Sequence, residues 1–177
     1  MTVHTDTIQL HSKAGRPTYF EITDDVRRII SESGVTTGIC TVASTHTTCS
    51  VFFEEYCHDV DFAGDEFIQA DLNEGLDKIF PRCMTNNQYH HPGPAHVEAV
   101  KGMTDDATST GDTILVPDLE SLLNTEAHLR GTLIGASQTF VVEDATPQIG
   151  AVGYVYFVDW DPNRERDRKV KVAVIGE

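Results

Sequence analysis

Positive charge and long apolar runs are both scarce in this sequence. Thirteen Lys and Arg stand against 28 Asp and Glu, giving a formal net charge of −15 over 177 residues. A surface of that sign repels nucleic-acid phosphates and anionic membrane headgroups, so neither nucleic acid nor membrane is an expected partner. No window approaches the roughly 18 consecutive apolar residues of a membrane-spanning helix. The segment 1–6 lacks a basic stretch followed by an apolar run, so it does not read as a secretory signal and a cytoplasmic location is expected. The four cysteines, Cys40, Cys49, Cys57 and Cys83, include no C-x-x-C pair and read as free thiols. Also missing are a G-x-x-x-x-G-K-[ST] phosphate loop, a G-x-S-x-G nucleophile elbow and an H-E-x-x-H zinc helix, which removes those enzyme classes.

What is present fits one α+β domain over residues 1–177, since a chain of this length closes a single hydrophobic core. Residues 7–11 alternate as a strand does, and 18–22 follow a Gly-Arg-Pro turn signal, which predicts an opening hairpin. Thr23 reads as an N-cap before Asp24 and Asp25, with Val26, Ile29 and Ile30 on one helix face and Gly34 as the stop. Core strands are predicted over 37–43 and 49–53, interrupted by the polar segment 44–48. Ile68, Leu72, Leu76 and Ile79 have helical spacing, with Pro81 closing the helix and Asp71 leaning beside the apolar stripe. Residues 84–111 are polar and too long for an ordinary connection, with a short helix predicted near 95–101. A strand is predicted over 113–116, a helix from 117 toward His128, and closing strands over 132–142, 151–159 and 169–175. The basic stretch 164–169 is interleaved with acids and reads as a solvated loop.

Eight histidines are many for this length, and imidazole suits both metal ligation and proton transfer near neutral pH. His4 and His11 fall in the N-terminal strands and read as surface residues. His46 sits between two core strands among Thr45, Thr47 and Thr48, where a satisfied core histidine and a site residue are both open. His90 and His91 follow Tyr89, His96 follows a Pro-Gly-Pro turn, and His128 lies near a helix end before Gly131. Cys49 and Ser50 point to opposite strand faces, and Cys49 reads as inert packing and not as a nucleophile.

Several of these landmarks together resemble the secondary thiamine-phosphate synthase family, the YjbQ-like proteins. His46-Thr47-Thr48-Cys49-Ser50 resembles the family's histidine followed by small hydroxyl residues, and Asp65 with Asp71-Leu72 its paired aspartates. Tyr89-His90-His91 resembles its Tyr-x-His loop, and Ala127-His128-Leu129 with Leu133 to Ser137 its next histidine and Gly-x-Ser strand entry. Gly150 to Asp159 resembles a glycine-led strand ending in an acid, and 164–169 the basic segment before the last strand. The likeness spans the chain apart from an insertion at about 92–125, and it departs at Gly150-Ala151-Val152-Gly153, where the family carries Gly-Thr-Trp-Gln.

The resemblance implies a β-sandwich with flanking helices, a homotrimer, and a divalent metal, zinc by preference, held by His46, His91 and His128 with Asp71 in support. It implies weak transfer of a pyrimidine diphosphate to a thiazole phosphate, with Arg166 or Arg168 meeting the leaving diphosphate. Two other functions stay open: a non-catalytic oligomeric module binding a metabolite or anion, and a metal-dependent hydrolase.

Overall fold

The computed structural model describes residues 1–101 and 119–177, so the strand expected over 113–116 lies outside the described residues. Among the described residues eight strands form two antiparallel sheets: β1 (Thr2–Ser12), β2 (Thr18–Glu21), β3 (Thr37–Ser44), β4 (Cys49–Glu55), β5 (Ser137–Glu143), β6 (Thr146–Pro147), β7 (Gly153–Asp159) and β8 (Arg166–Gly176). The larger sheet has the order β1-β8-β3-β5-β6 and the smaller one β2-β7-β4. The opening hairpin is not formed, because β1 pairs along its whole length with β8 whereas β2 pairs with β7 in the other sheet. The Gly-Arg-Pro signal marks a crossing between sheets.

The period-two alternation of the strands explains how the layers are built. Val155 and Phe157 of β7 face the core shared with the larger sheet, where they meet Val42, Val142, Val170 and Val172. Tyr156 and Val158, one residue out of phase, face a second core with Phe52, Leu76, Ala127 and Trp160. The smaller sheet is thus buried on both faces, and Cys49 to Phe52 are buried without interruption for that reason, the polar Ser50 accepting from the Trp160 indole N–H at 2.9 Å.

Among the described residues four α-helices flank the sheets: α1 (Thr23–Ser33), α2 (Phe67–Ile79), α3 (Pro94–Lys101) and α4 (Thr125–Ile134). The buried residues of α1 are Thr23, Val26, Ile29 and Ile30, and Gly34 ends the helix in the left-handed conformation at φ 70°. Thr23 is the first helical residue and not the cap; its hydroxyl accepts from the Val155 amide at 2.9 Å. Helix α2 starts later than its acidic leader suggests, at a capping box formed by Glu66 and Gln69. Residues 132–134 belong to α4 and not to the following strand. A 3-10 turn, Glu120–Leu122, leads into α4 in place of one continuous helix. Gly131 lets α4 lie close on β4, since a Cβ there would stand 2.8 Å from the Thr47 carbonyl oxygen. This close approach brings His128 to one end of the sandwich.

Candidate functional site

At that end β4 begins, β7 finishes and β8 begins, and the apolar core gives way to a polar plug. Arg168 is on the inward face of β8, in phase with Val170, Val172 and Val174, so the basic stretch is not a solvated loop throughout. Its guanidinium is 2% exposed and grips Asp159 in a bidentate pair, Nε to Oδ2 at 2.7 Å and Nη2 to Oδ1 at 3.0 Å. Ser12 Oγ donates to the same carboxylate at 2.7 Å. Burial pushes the Asp159 carboxyl up, but the bonds and charge of Arg168 outweigh it and hold the group below its usual range. Cys49 lies against the same pair, and burial with the Asp159 charge pushes its thiol well up. A protonated, buried thiol is a poor nucleophile, as expected from its strand position.

His46 belongs to this plug. Its Nε2 accepts the Lys169 backbone N–H at 3.0 Å, and its Nδ1 stands 3.4 Å from an Arg168 nitrogen. Both ring nitrogens face donors, since a guanidinium cannot accept, and the shorter contact is the Lys169 amide at Nε2. His46 thus has its lone pair engaged with β8 and a guanidinium beside the other nitrogen, surroundings that do not suit a cation.

His91 and His128 are brought together, and His96 joins them. Ring centroids are 4.7 Å apart for His91 and His96 and 5.5 Å for His91 and His128. His91 stands just before α3, across the cis bond to Pro92, His96 is on α3 and His128 on α4. Thr125 fixes the first ring: its hydroxyl donates to the His91 carbonyl at 2.8 Å and lies 3.0 Å from His91 Nδ1. A hydroxyl has one proton, already given to the carbonyl, so Nδ1 must be the donor and Nε2 carries the lone pair. Burial, reinforced by the charge of His96, pushes the His91 ring below its usual pKa. Burial and His91 do the same for His128, with Asp161 opposing and Arg166 and His96 adding to the fall. Both rings are therefore favoured as neutral imidazoles, the form that ligates metals.

Asp161 connects the cluster to the plug. Its backbone N–H donates to Asp159 Oδ1 at 3.1 Å, and its Oδ2 accepts from Arg166 at 2.7 Å and Asn124 at 2.9 Å. Burial pushes the Arg166 guanidinium down to about 10, Asp161 opposing and Arg168 and Arg164 adding. Arg166 Nε is buried with no hydrogen-bond partner among the described residues. Of the two expected aspartates, Asp65 pairs with Arg16, and Asp71 is exposed on α2 instead of leaning inward. Among the described residues no group of three or more His, Cys, Asp or Glu side chains is gathered to hold a metal ion as it stands. His91 has a ring neighbour on each side, but ring proximity is not convergence of nitrogens on one point.

Thr125, Asn124 and Asp161 are the members that sequence reading missed. No motif marks them, although Asp159 and Asp161 flank Trp160 with the two-residue spacing that puts both on the face opposite the indole.

Comparison with known proteins places this geometry in context. A family model described as UPF0047 protein YjbQ-like matches residues 6–177. The chain is 23% identical over 157 residues to the UPF0047 protein YugU of Bacillus subtilis, covering 89% of this chain and 90% of that protein. It is 25% identical over 152 residues to a UPF0047 protein of Methanocaldococcus jannaschii, covering 86% and 82%. A crystal structure of a YjbQ/UPF0047 family protein from Clostridium acetobutylicum superposes with a TM-score of 0.63 at 25% identity, covering 95% of this chain and 99% of that one. A YjbQ-like protein from Sulfolobus solfataricus superposes with a TM-score of 0.65 at 19% identity, covering 99% of each, and supports the fold alone.

Proposed function

The chain belongs to the YjbQ-like UPF0047 family, and from that premise we propose that His91, His96 and His128 bind a divalent metal and act with it on a small phosphorylated molecule. The observation that carries this is the Thr125 hydroxyl, whose bonding leaves the Nε2 lone pair of His91 free on a ring that neighbours two further imidazoles. A ligating histidine held through its other nitrogen is the usual second-layer arrangement of such sites. Zinc suits a set of neutral imidazoles best. His96 is exposed, so its side chain is free to turn toward the other two rings, which closing on one ion requires. His46, with its lone pair given to Lys169, takes no part in this set.

A bound metal would supply Lewis acidity to a substrate oxygen. The chain's own contribution is charge and position. Arg166, held by Asp161 and carrying an unpartnered Nε, meets the substrate anion. Arg168 acts through Asp159 and Asp161 as a positioning residue, since it is buried. In its specific form the proposal is a weak thiamine-phosphate synthase-like transfer of a pyrimidine diphosphate to a thiazole phosphate, by a homotrimer.

One observation favours a second reading. Arg166 and Arg168 each already face a carboxylate, which leaves little net positive charge for a leaving diphosphate and suits a non-catalytic module binding a metabolite or small anion. Incubating zinc-loaded protein with the two thiamine precursors and, separately, with phosphoesters separates the cases. Product from the precursors that disappears in His128→Ala supports the transferase; phosphoester turnover alone makes the protein a hydrolase. No turnover by protein that has bound zinc contradicts the enzyme reading.

A further inference from the structure

On the other side of α4 from His128, a cleft of about 270 Å³ opens between α2, α4 and the loop after β1, with Glu126, Arg130, Asn73, Asp77, Arg82 and Trp160 among its walls. Two of these residues are in an unusual state. Glu126 is 2% exposed and neither of its carboxylate oxygens has a hydrogen-bond partner among the described residues. Arg130 is 4% exposed and its Nε is likewise buried without a partner. The backbone N–H groups of Glu126 and Cys83 and the charge of Arg130 act on this carboxylate without closing a hydrogen bond to it, and a buried carboxylate left in that state points to a ligand or an ordered water.

A Glu and an Arg four residues apart on a helix ordinarily pair with each other. Here they do not, because Arg130 Nη2 is drawn to Asp77 and to the Phe80 carbonyl at 3.0 Å. The result is an unpaired carboxylate and an unpaired guanidinium nitrogen, both buried, on two residues that line the same cleft. Arg82 adds further donors at the rim, since its guanidinium makes one hydrogen bond among the described residues, to the Gly15 carbonyl at 3.3 Å. The complement of this arrangement is an ammonium next to an anion. An ammonium supplies the two N–H donors that Glu126 lacks, and an adjacent carboxylate or phosphate oxygen accepts from Arg130 Nε and Arg82. A cleft of this volume accommodates a small metabolite and not a nucleotide or peptide.

We propose that the cleft lined by Glu126 and Arg130 is a binding site for a small zwitterion, with Glu126 holding its amino group and Arg130 its carboxylate or phosphate. The site is separate from the histidine cluster, since Glu126 and His128 are two residues, or about 200°, apart around the helix.

The test is isothermal titration and thermal unfolding of the full-length protein. Zwitterionic probes are the common α-amino acids, with an amine beside a carboxylate, and O-phosphoethanolamine, with an amine beside a phosphate. Ethylamine and inorganic phosphate supply each charge alone. At least one zwitterion raises the melting temperature and binds, and which of the two types does so identifies the anion; neither single-charge probe matches it. Glu126→Gln weakens that binding by about tenfold or more, as expected for a lost charge-assisted bond. Arg130→Lys keeps a charge for Asp77 but lacks the Nε–H and also weakens it, whereas His91→Ala leaves it unchanged. Failure of every zwitterion to bind folded wild-type protein at millimolar concentration overturns the proposal. So does binding that survives both Glu126→Gln and Arg130→Lys, or inorganic phosphate binding as tightly as the best zwitterion.

Discussion

Arg168 and Asp159 show how one buried pair decides both stability and the shape of the site. Two charges at 2% and 0% exposure lose most of their hydration, so the pair contributes little net stability, but removing one partner strands the other. Arg168→Ala is expected to destabilise the protein by about 3–5 kcal/mol, measured by denaturant unfolding, and the double change Arg168→Met, Asp159→Leu by clearly less. This residue was legible in part. Arg164, Arg166 and Arg168 separated by acids look like a charged surface, yet Arg168 also continues the two-residue rhythm of Val170, Val172 and Val174, and that phase is the signal of an inward residue. His46 was noticed for its place between core strands, but nothing in the sequence says that a backbone amide on β8 would occupy its lone pair.

Glu54 gives the residue scale a pH dependence. Its Oε2 is buried without a partner among the described residues, and burial, with the charge of Glu66 nearby, pushes its carboxyl from 4.5 to about 7. The folded state therefore holds this proton more tightly than the unfolded chain does. The stability that follows is fully present below pH 4.5 and is lost as pH rises through about 7. Unfolding free energy measured across that window is expected to slope downward with rising pH more steeply in wild type than in Glu54→Gln; equal slopes would contradict the assignment.

Among the elements, the packing of α4 on β4 positions His128, and glycine tests it. Ala substitution in a helix interior gains about 1 kcal/mol from propensity alone. At Gly75 of α2 nothing lies within 4 Å of an added Cβ, so Gly75→Ala is expected to stabilise by up to about 1 kcal/mol. At Gly131 the added atom meets the Thr47 carbonyl at 2.8 Å, backbone that cannot swing away, and overpacking of about 1–3 kcal/mol wins. Gly131→Ala is expected to destabilise, so one substitution type changes sign between two helices; chemical denaturation of both variants checks it. Element types were largely legible from periodicity, as α1, α2 and β7 show. The pairing was not, because alternation in 7–11 and 18–22 fixes which face is apolar but not which strand lies alongside.

For the whole molecule, an α+β sandwich and family membership were both within reach of the sequence, because the order of modest motifs runs the length of the chain. Of the three histidines expected as ligands, His91 and His128 have neighbouring rings, with His96 also beside His91, whereas His46 is bonded to β8 in the polar plug; the sequence carries no signal for either the His91–His96 neighbourhood or the His46 bond. A net charge of −15 raises the local concentration of divalent cations and opposes anions, which is the electrostatic setting of the proposed metal site. None of the described helices is long and apolar enough to cross a membrane.

A single metal centre built from His91, His96 and His128 is what we propose for this end of the sandwich. The most direct measurement is zinc titration of metal-stripped protein, read as bound metal per chain, for wild type, His128→Ala and His46→Ala. One equivalent in wild type and in folded His46→Ala, lost in folded His128→Ala, is the predicted result. Stoichiometric zinc retained by His128→Ala, or none bound by wild type, contradicts it.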